Sequence, residues 1–301
     1  MMLTDLSTPL NRASSIAPVM SAFAAGTALG PALGGFLVDS VGLNPTFYLV
    51  GLSYFGVAAL NRAILKETKI RTLHFPWQQP TSESTKTKSL YEASRDAVGQ
   101  WVPLLREKNV RNIMIMNGLY WVALAGSQMT LLPLLLTDSS GLNFTATEVG
   151  SVYMGMSLVQ IVGNPVFAKL IDRIGKAPAI VGGCSLISAS MMALPLCDDP
   201  LQLAGVLGIW SVGSSMLSTA PIAFLSDHVS EDQRAQAIAL LRTCGDVGFL
   251  IGASGVGALA DFTSMSLAIQ STSAILFTAT TWFAARQVLS NKIGDSVTKI
   301  G

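Results

Sequence analysis

Charged and amide side chains set inside long apolar runs are where this sequence could do chemistry. Arg242 and Asp246 stand four residues apart in one such run, so on a helix they share a face. A charge held within a bilayer is costly, which makes the pair a candidate for proton coupling or for gating a cavity. A structural ion pair between helices, or an Arg reaching back to the membrane surface, are the other open readings. Asn117 and Gln128 in one run, and Gln160 and Asn164 in the next, are amides that could hold a substrate or join helices. Tyr120, Trp121, Tyr153 and Trp210 could meet an apolar or planar substrate, or serve as packing and interface anchors. Glu148 opens a run and reads as a solvated acid at a helix N-terminus rather than a proton carrier.

Other chemistries lack their residues. Two histidines, His74 and His228, and three scattered cysteines, Cys184, Cys197 and Cys244, offer neither a metal cluster nor a disulfide framework. Nothing resembles a nucleotide-binding GxxxxGKS loop or a nucleophile with a His partner, so no enzyme, cofactor or metal is expected. With 19 Lys and Arg against 18 Asp and Glu, the formal charge of +1 gives no case for nucleic acid as a partner.

The elements that must carry these residues follow from composition. Only 12% of the 301 residues are charged, against roughly 25% in an average soluble domain. Mean hydropathy is +0.51. A membrane-spanning helix needs roughly 20 mostly apolar residues, and eight runs qualify: Ile16 to Val38, Phe47 to Leu65, Ile113 to Leu136, Val149 to Ile171, Pro178 to Leu196, Leu201 to Leu225, Ala235 to Ala260 and Met265 to Ala285. Helices of a soluble bundle would alternate polar and apolar faces, whereas these runs carry almost no charge on any face.

Basic residues set the expected orientation, because Lys and Arg collect in short cytoplasmic loops. The links around Asp39 to Pro45, Thr137 to Thr147, Cys197 to Pro200 and Asp261 to Ser264 contain none. The opposite side holds Arg12, ten basic residues from Arg62 to Arg111, then Lys169, Arg173, Lys176, Arg234, Arg286, Lys292 and Lys299. Both termini are thus expected in the cytoplasm, with no signal peptide in Met1 to Arg12. Between the second and third runs lies a polar loop, residues 66–110. Its first half reads as linker, and its second half places Leu90, Ala93, Ala97, Trp101, Leu104 and Leu105 at the spacing of an amphipathic surface helix. A plain solvated connector is the other reading of that half.

The chain also repeats itself. A shift of 222 residues lays Leu3 to Asp39 on Leu225 to Asp261 without a gap, pairing Asp5 with Asp227, Arg12 with Arg234, Gly26 with Gly248, Gly30 with Gly252, Gly35 with Gly257 and Asp39 with Asp261. Run one therefore corresponds to run seven, and both copies keep one orientation, as in transporters built from two parallel halves. If the second half has six helices, four are absent from the first, a stretch of about 110 to 120 residues before Met1.

Two motifs carry a family resemblance. Run one contains Gly26-Thr27-Ala28-Leu29-Gly30-Pro31-Ala32-Leu33-Gly34-Gly35, where Gly26, Gly30 and Gly34 share a helix face that would admit a second backbone and Pro31 favours a bend. This order resembles the antiporter signature in the fifth helix of the drug/proton antiporters of the major facilitator superfamily. The stretch Asp5 to Ala13 before it looks like the connection that precedes that helix. Ala168-Lys169-Leu170-Ile171-Asp172-Arg173-Ile174-Gly175-Lys176 is similar to the superfamily's cytoplasmic signature loop, with Ala168 where the first Gly usually stands. The resemblance implies that Asp172, Arg173, Gly175 and Lys176 lock the two halves in the outward-facing state.

The expected fold is thus all-α and integral to the membrane, a major facilitator fold with eight transmembrane helices. Residues 1–65 would end the N-terminal half, 111–286 would form a complete six-helix C-terminal half, and 287–301 a cytoplasmic tail. The resemblance implies transport of a small molecule by alternating access, coupled to protons as antiport. A sugar or organic-anion facilitator or symporter is an alternative. So is a truncated fragment that does not transport, or that joins a full-length partner.

Overall fold

A computed structural model describes residues 12–64, 99, 101–138 and 142–298. Their regular structure is helical throughout. Helix α1 spans Arg12–Val41 and α2 Leu43–Ile64. After the central loop, α3 spans Lys108–Thr137 and contains a π-helical stretch, Leu124–Leu131. Helices α4 (Ala146–Ile174), α5 (Lys176–Ala193, extended by a 3-10 turn, Leu194–Leu196) and α6 (Pro200–Leu217) follow. The chain ends with a short α7 (Ala220–Asp227) and two long helices, α8 (Glu231–Phe262) and α9 (Met265–Thr298).

Six stretches are long and apolar enough to cross a bilayer: α2, α3, α4, α5 with its 3-10 turn, α6 with α7, and most of α8. The expected count of eight is not reached on this measure. In α1 the described apolar stretch is only Ala28–Val41. In α9, Gln270 and a run of Ser and Thr residues dilute the hydropathy.

The core lies among α3, α5, α6, α7 and α9, with Trp210 and Phe283 its largest fully buried side chains. Helix α8 packs along α3, and α4 packs on both α6 and α1. Helix α1 joins the rest chiefly through α4, and α2 buries only Thr46. Phe47, Tyr48 and Phe55 of α2 are exposed, an apolar surface suited to lipid or to a further helix rather than to water.

Two links are a single residue long. Gly42 (φ +88°) joins α1 to α2 and Gly175 (φ +95°) joins α4 to α5, both in the left-handed region that a side chain disfavours.

Two expected segments differ in detail. The run Leu201 to Leu225 breaks at Ser218 and Thr219 into α6 and α7, because Pro221 lacks the N–H that would continue the ladder. The run Ile113 to Leu136 is helical but not uniformly α. Most of the expected amphipathic helix lies outside the described residues, but residues 101–106 are helical, with Leu104 buried and Leu105 exposed. The connection Asp5 to Ala13 lies outside them up to residue 11.

Candidate functional site

The seam between α1 and α4 is the most tightly built contact of the antiporter-type motif. A Cβ on Gly35 would collide with the Ala146 carbonyl, and one on Gly150 would collide with the Pro31 carbonyl. Each helix thus presents a glycine to the other's backbone. Expectation and structure part at the other glycines: a Cβ on Gly26, Gly30 or Gly34 would meet nothing within 4 Å. The face expected to admit a backbone is therefore open, and the one that does so is a neighbouring face carrying Pro31 and Gly35.

Above this seam Asp39, at the end of α1, caps α4. The Ala146 N–H donates to Oδ1 at 3.3 Å and the Thr147 N–H to Oδ2 at 2.6 Å. These donors are groups that a helix leaves unpaired in its first turn. The hydrogen bonds, led by those from Thr147, hold the exposed Asp39 carboxyl below its usual range. Thr145 completes the cap: its hydroxyl accepts from the Glu148 N–H at 3.3 Å, and its own N–H donates to Glu148 Oε2 at 2.8 Å. Glu148 is thus an exposed capping acid, as its position implied.

The repeat copy uses its glycines differently. Gly248 and Gly252 of α8, the partners of Gly26 and Gly30, press on the Gly118 and Val122 carbonyls of α3. The same register therefore supports packing in one copy and an open face in the other.

The amides do not converge. Asn117 Nδ2 donates to the Leu241 carbonyl at 2.9 Å, binding α3 to α8. Gln128 is buried in the π-helical stretch, and its main-chain carbonyl, not its amide, accepts from the Tyr153 hydroxyl of α4. Gln160 and Asn164 of α4 are half-buried, and Asn164 Oδ1 is buried without a hydrogen-bond partner. Among the aromatics, Tyr120 packs edge-on against Trp121 with centroids 5.7 Å apart, and Trp121 lies over Gly245 and near Phe249. Trp210 is fully buried, with its indole N–H unpaired.

Arg242 and Asp246 are both exposed on α8, while Leu241 and Gly245 beside them face inward. No ion pair joins them among the described residues, where Lys176 pairs with Asp227 instead. This pair links the start of α5 to the end of α7, and Arg234 of α8 donates to the Ser226 carbonyl at 3.4 Å on the same side. Asp172 and Arg173 of the signature loop are exposed at the end of α4. Asp172 caps no helix among the contacts described, whereas Asp39 caps α4 at its opposite end.

Sequence reasoning missed Asp39, although the gapless repeat had singled it out beside Asp261. It missed Gly150 because the three glycines of α4, Gly150, Gly155 and Gly163, stand at spacings that form no motif.

The family model of the Major Facilitator Superfamily matches residues 1–253 and, in a second alignment, 118–292. An uncharacterised MFS-type transporter of Methanocaldococcus jannaschii is 27% identical over 246 residues, 80% of this chain and 58% of that protein. Multidrug resistance protein MdtG of Dickeya zeae is 23% identical over 252 residues, 83% of this chain and 57% of that protein. The crystal structure of the human organic anion transporter MFSD10 superposes with a TM-score of 0.63 at 16% identity, covering 93% of this chain and 66% of that one. The chain thus spans somewhat over half the length of these curated relatives. By the extent of the family match, it belongs to the major facilitator superfamily.

Proposed function

We propose that the chain is part of a secondary active transporter that moves a small molecule across a membrane by alternating access, coupled to protons as antiport. Eight membrane-crossing helices are assigned in this reading, α1 and α9 included, with both termini in the cytoplasm and the Asp39 end on the opposite side. The observation that carries it is the α1–α4 seam. Helices α1 and α2 belong to one half of the fold and α3 to α9 to the other, so the Asp39 cap joins the halves at one end only of α4. Breaking and remaking such a contact is what alternating access requires.

Coupling is assigned to Asp246, with Arg242 beside it, because exposed charges on a membrane-spanning helix need a polar cavity or a partner. One relative bears the name of a multidrug resistance protein and one structural neighbour that of an organic anion transporter. The first agrees with efflux, the second with the organic-anion alternative.

Proteoliposomes holding the full chain, driven by an imposed pH gradient, test the reading. Gradient-dependent transport that Asp246→Asn uncouples is the expected result; unchanged coupling in that variant removes Asp246 from the mechanism. A second reading draws on the chain's 58% span of its relative: a fragment that does not transport, or that associates with a full-length partner. Absence of flux from the chain alone, with or without its association with a full-length protein in pull-down, would favour it.

A further inference from the structure

Helices α4 and α6 touch at one end and part toward the other. At Gly163 a Cβ would come 2.6 Å from Ser215 Oγ, so only the small Ser215 side chain separates the two helices there. Toward Glu148 and Pro200 they border an open-sided cavity of about 490 Å3, within the ~300–1,000 Å3 usual for small-molecule sites. None of the four amides singled out in the sequence lines it.

Two glycines create this volume. Gly155 on the α4 wall and Gly208 on the α6 wall both line the cavity, and a Cβ on either would meet nothing within 4 Å. They differ in this from Gly35, Gly150 and Gly163, where the absent side chain admits another helix. Here it leaves open space. From Glu148 to Val159 the α4 wall runs about 16 Å, long enough for an extended alkyl chain.

Charge decides the class of ligand. Glu148 is the one charged residue of the lining, Ser151 is polar, and the remaining walls are apolar. Two helix N-termini open here, and bare N-termini would favour an anion. Those of α4 are already occupied by Asp39 and Thr145, while α6 begins with Pro200, which has no N–H, and Asp199 before it adds a negative charge although its side chain caps no N–H. Glu148 Oε2 serves the Thr145 cap, which leaves Oε1 for a ligand. We infer that the α4–α6 cavity binds an amphiphile with an apolar body and one positively charged head, the head at Glu148 and the body between Gly155 and Gly208. As an assignment of cargo, this rests on the transport reading; as an assignment of a binding site, it does not.

Tritiated decyltrimethylammonium and decanesulfonate, equilibrated with the full chain in nanodiscs against empty nanodiscs, test it. Saturable binding of the ammonium and none of the sulfonate is expected. Glu148→Gln, which keeps a capping side chain, should weaken binding by about fivefold, the upper range of an exposed ion pair. Gly155→Leu and Gly208→Leu fill the cavity from opposite walls, and each should abolish saturable binding with thermal unfolding unchanged. Equal binding of both amphiphiles, or wild-type binding in whichever filled variant folds, overturns the proposal. Gradient-driven uptake of the ammonium in proteoliposomes separates the two readings. Binding that the fillings abolish, without uptake, upholds the cavity and removes the transport reading. Uptake without cavity-dependent binding removes the cavity alone.

Discussion

The Tyr153 hydroxyl of α4 donates to the main-chain carbonyl of Gln128 in α3, at a point where the helix has no donor of its own to offer. In π-helical register the carbonyl of residue 128 would pair with the N–H of residue 133, which is Pro133. The register is real, since the Leu132 N–H bonds to the Ser127 carbonyl. Tyr153→Phe leaves that buried carbonyl unpaired. A loss of about 1 kcal/mol is expected, in the range for hydrogen bonds between membrane helices, measured by unfolding in mixed micelles. Pro133→Ala restores an N–H, so Tyr153→Phe should cost less in that background.

Gly35 and Gly150 should be intolerant where Gly26 and Gly30 are tolerant. Gly35→Val or Gly150→Val drives a side chain into the opposing backbone and should destabilise by about 1–3 kcal/mol, the usual range for overpacking. Gly26→Ala and Gly30→Ala meet open space and should leave thermal unfolding unchanged. If the two sets behave alike, the seam is not where the structure puts it.

Asp39 predicts a pH dependence with a definite sign. Its carboxyl is held below its ordinary value, so its contribution to stability is complete above the unfolded-state pKa of about 3.8 and is lost as pH falls through the lower folded-state value. Wild type should therefore lose stability below pH about 4 more steeply than Asp39→Asn, which has no charge to neutralise. Melting temperatures of both proteins across the acid range check this, and parallel curves would refute it.

Lys176 and Asp227 form an ion pair between side chains 29% and 52% exposed. Solvent screens such a pair, so a double-mutant cycle with Lys176→Gln and Asp227→Asn should give a coupling of no more than about 1 kcal/mol. Added salt should weaken it further.

Much of the fold was legible because its causes are local. The apolar runs of α2 to α8 are contiguous in sequence, and a bilayer obliges each to close its own hydrogen bonds as a helix. The place of Glu148 at a helix start was legible for the same reason, and its cap with Thr145, three residues before it, could have been read too. The break at Ser218 and Thr219 could have been read from Pro221, whose missing N–H is a local fact too.

By itself, the sequence determined the membrane class, the repeat that pairs Gly26 with Gly248 and Asp39 with Asp261, and the residues whose charge is costly in a bilayer. These depend on composition and spacing alone. Only the tertiary structure decided which glycines are pressed by a neighbour, that Asp39 caps a helix more than a hundred residues away, and that Gly155 and Gly208 border a cavity. A helix offers several faces with nearly the same composition. Which of them is filled depends on the backbone that arrives against it from a distant part of the chain.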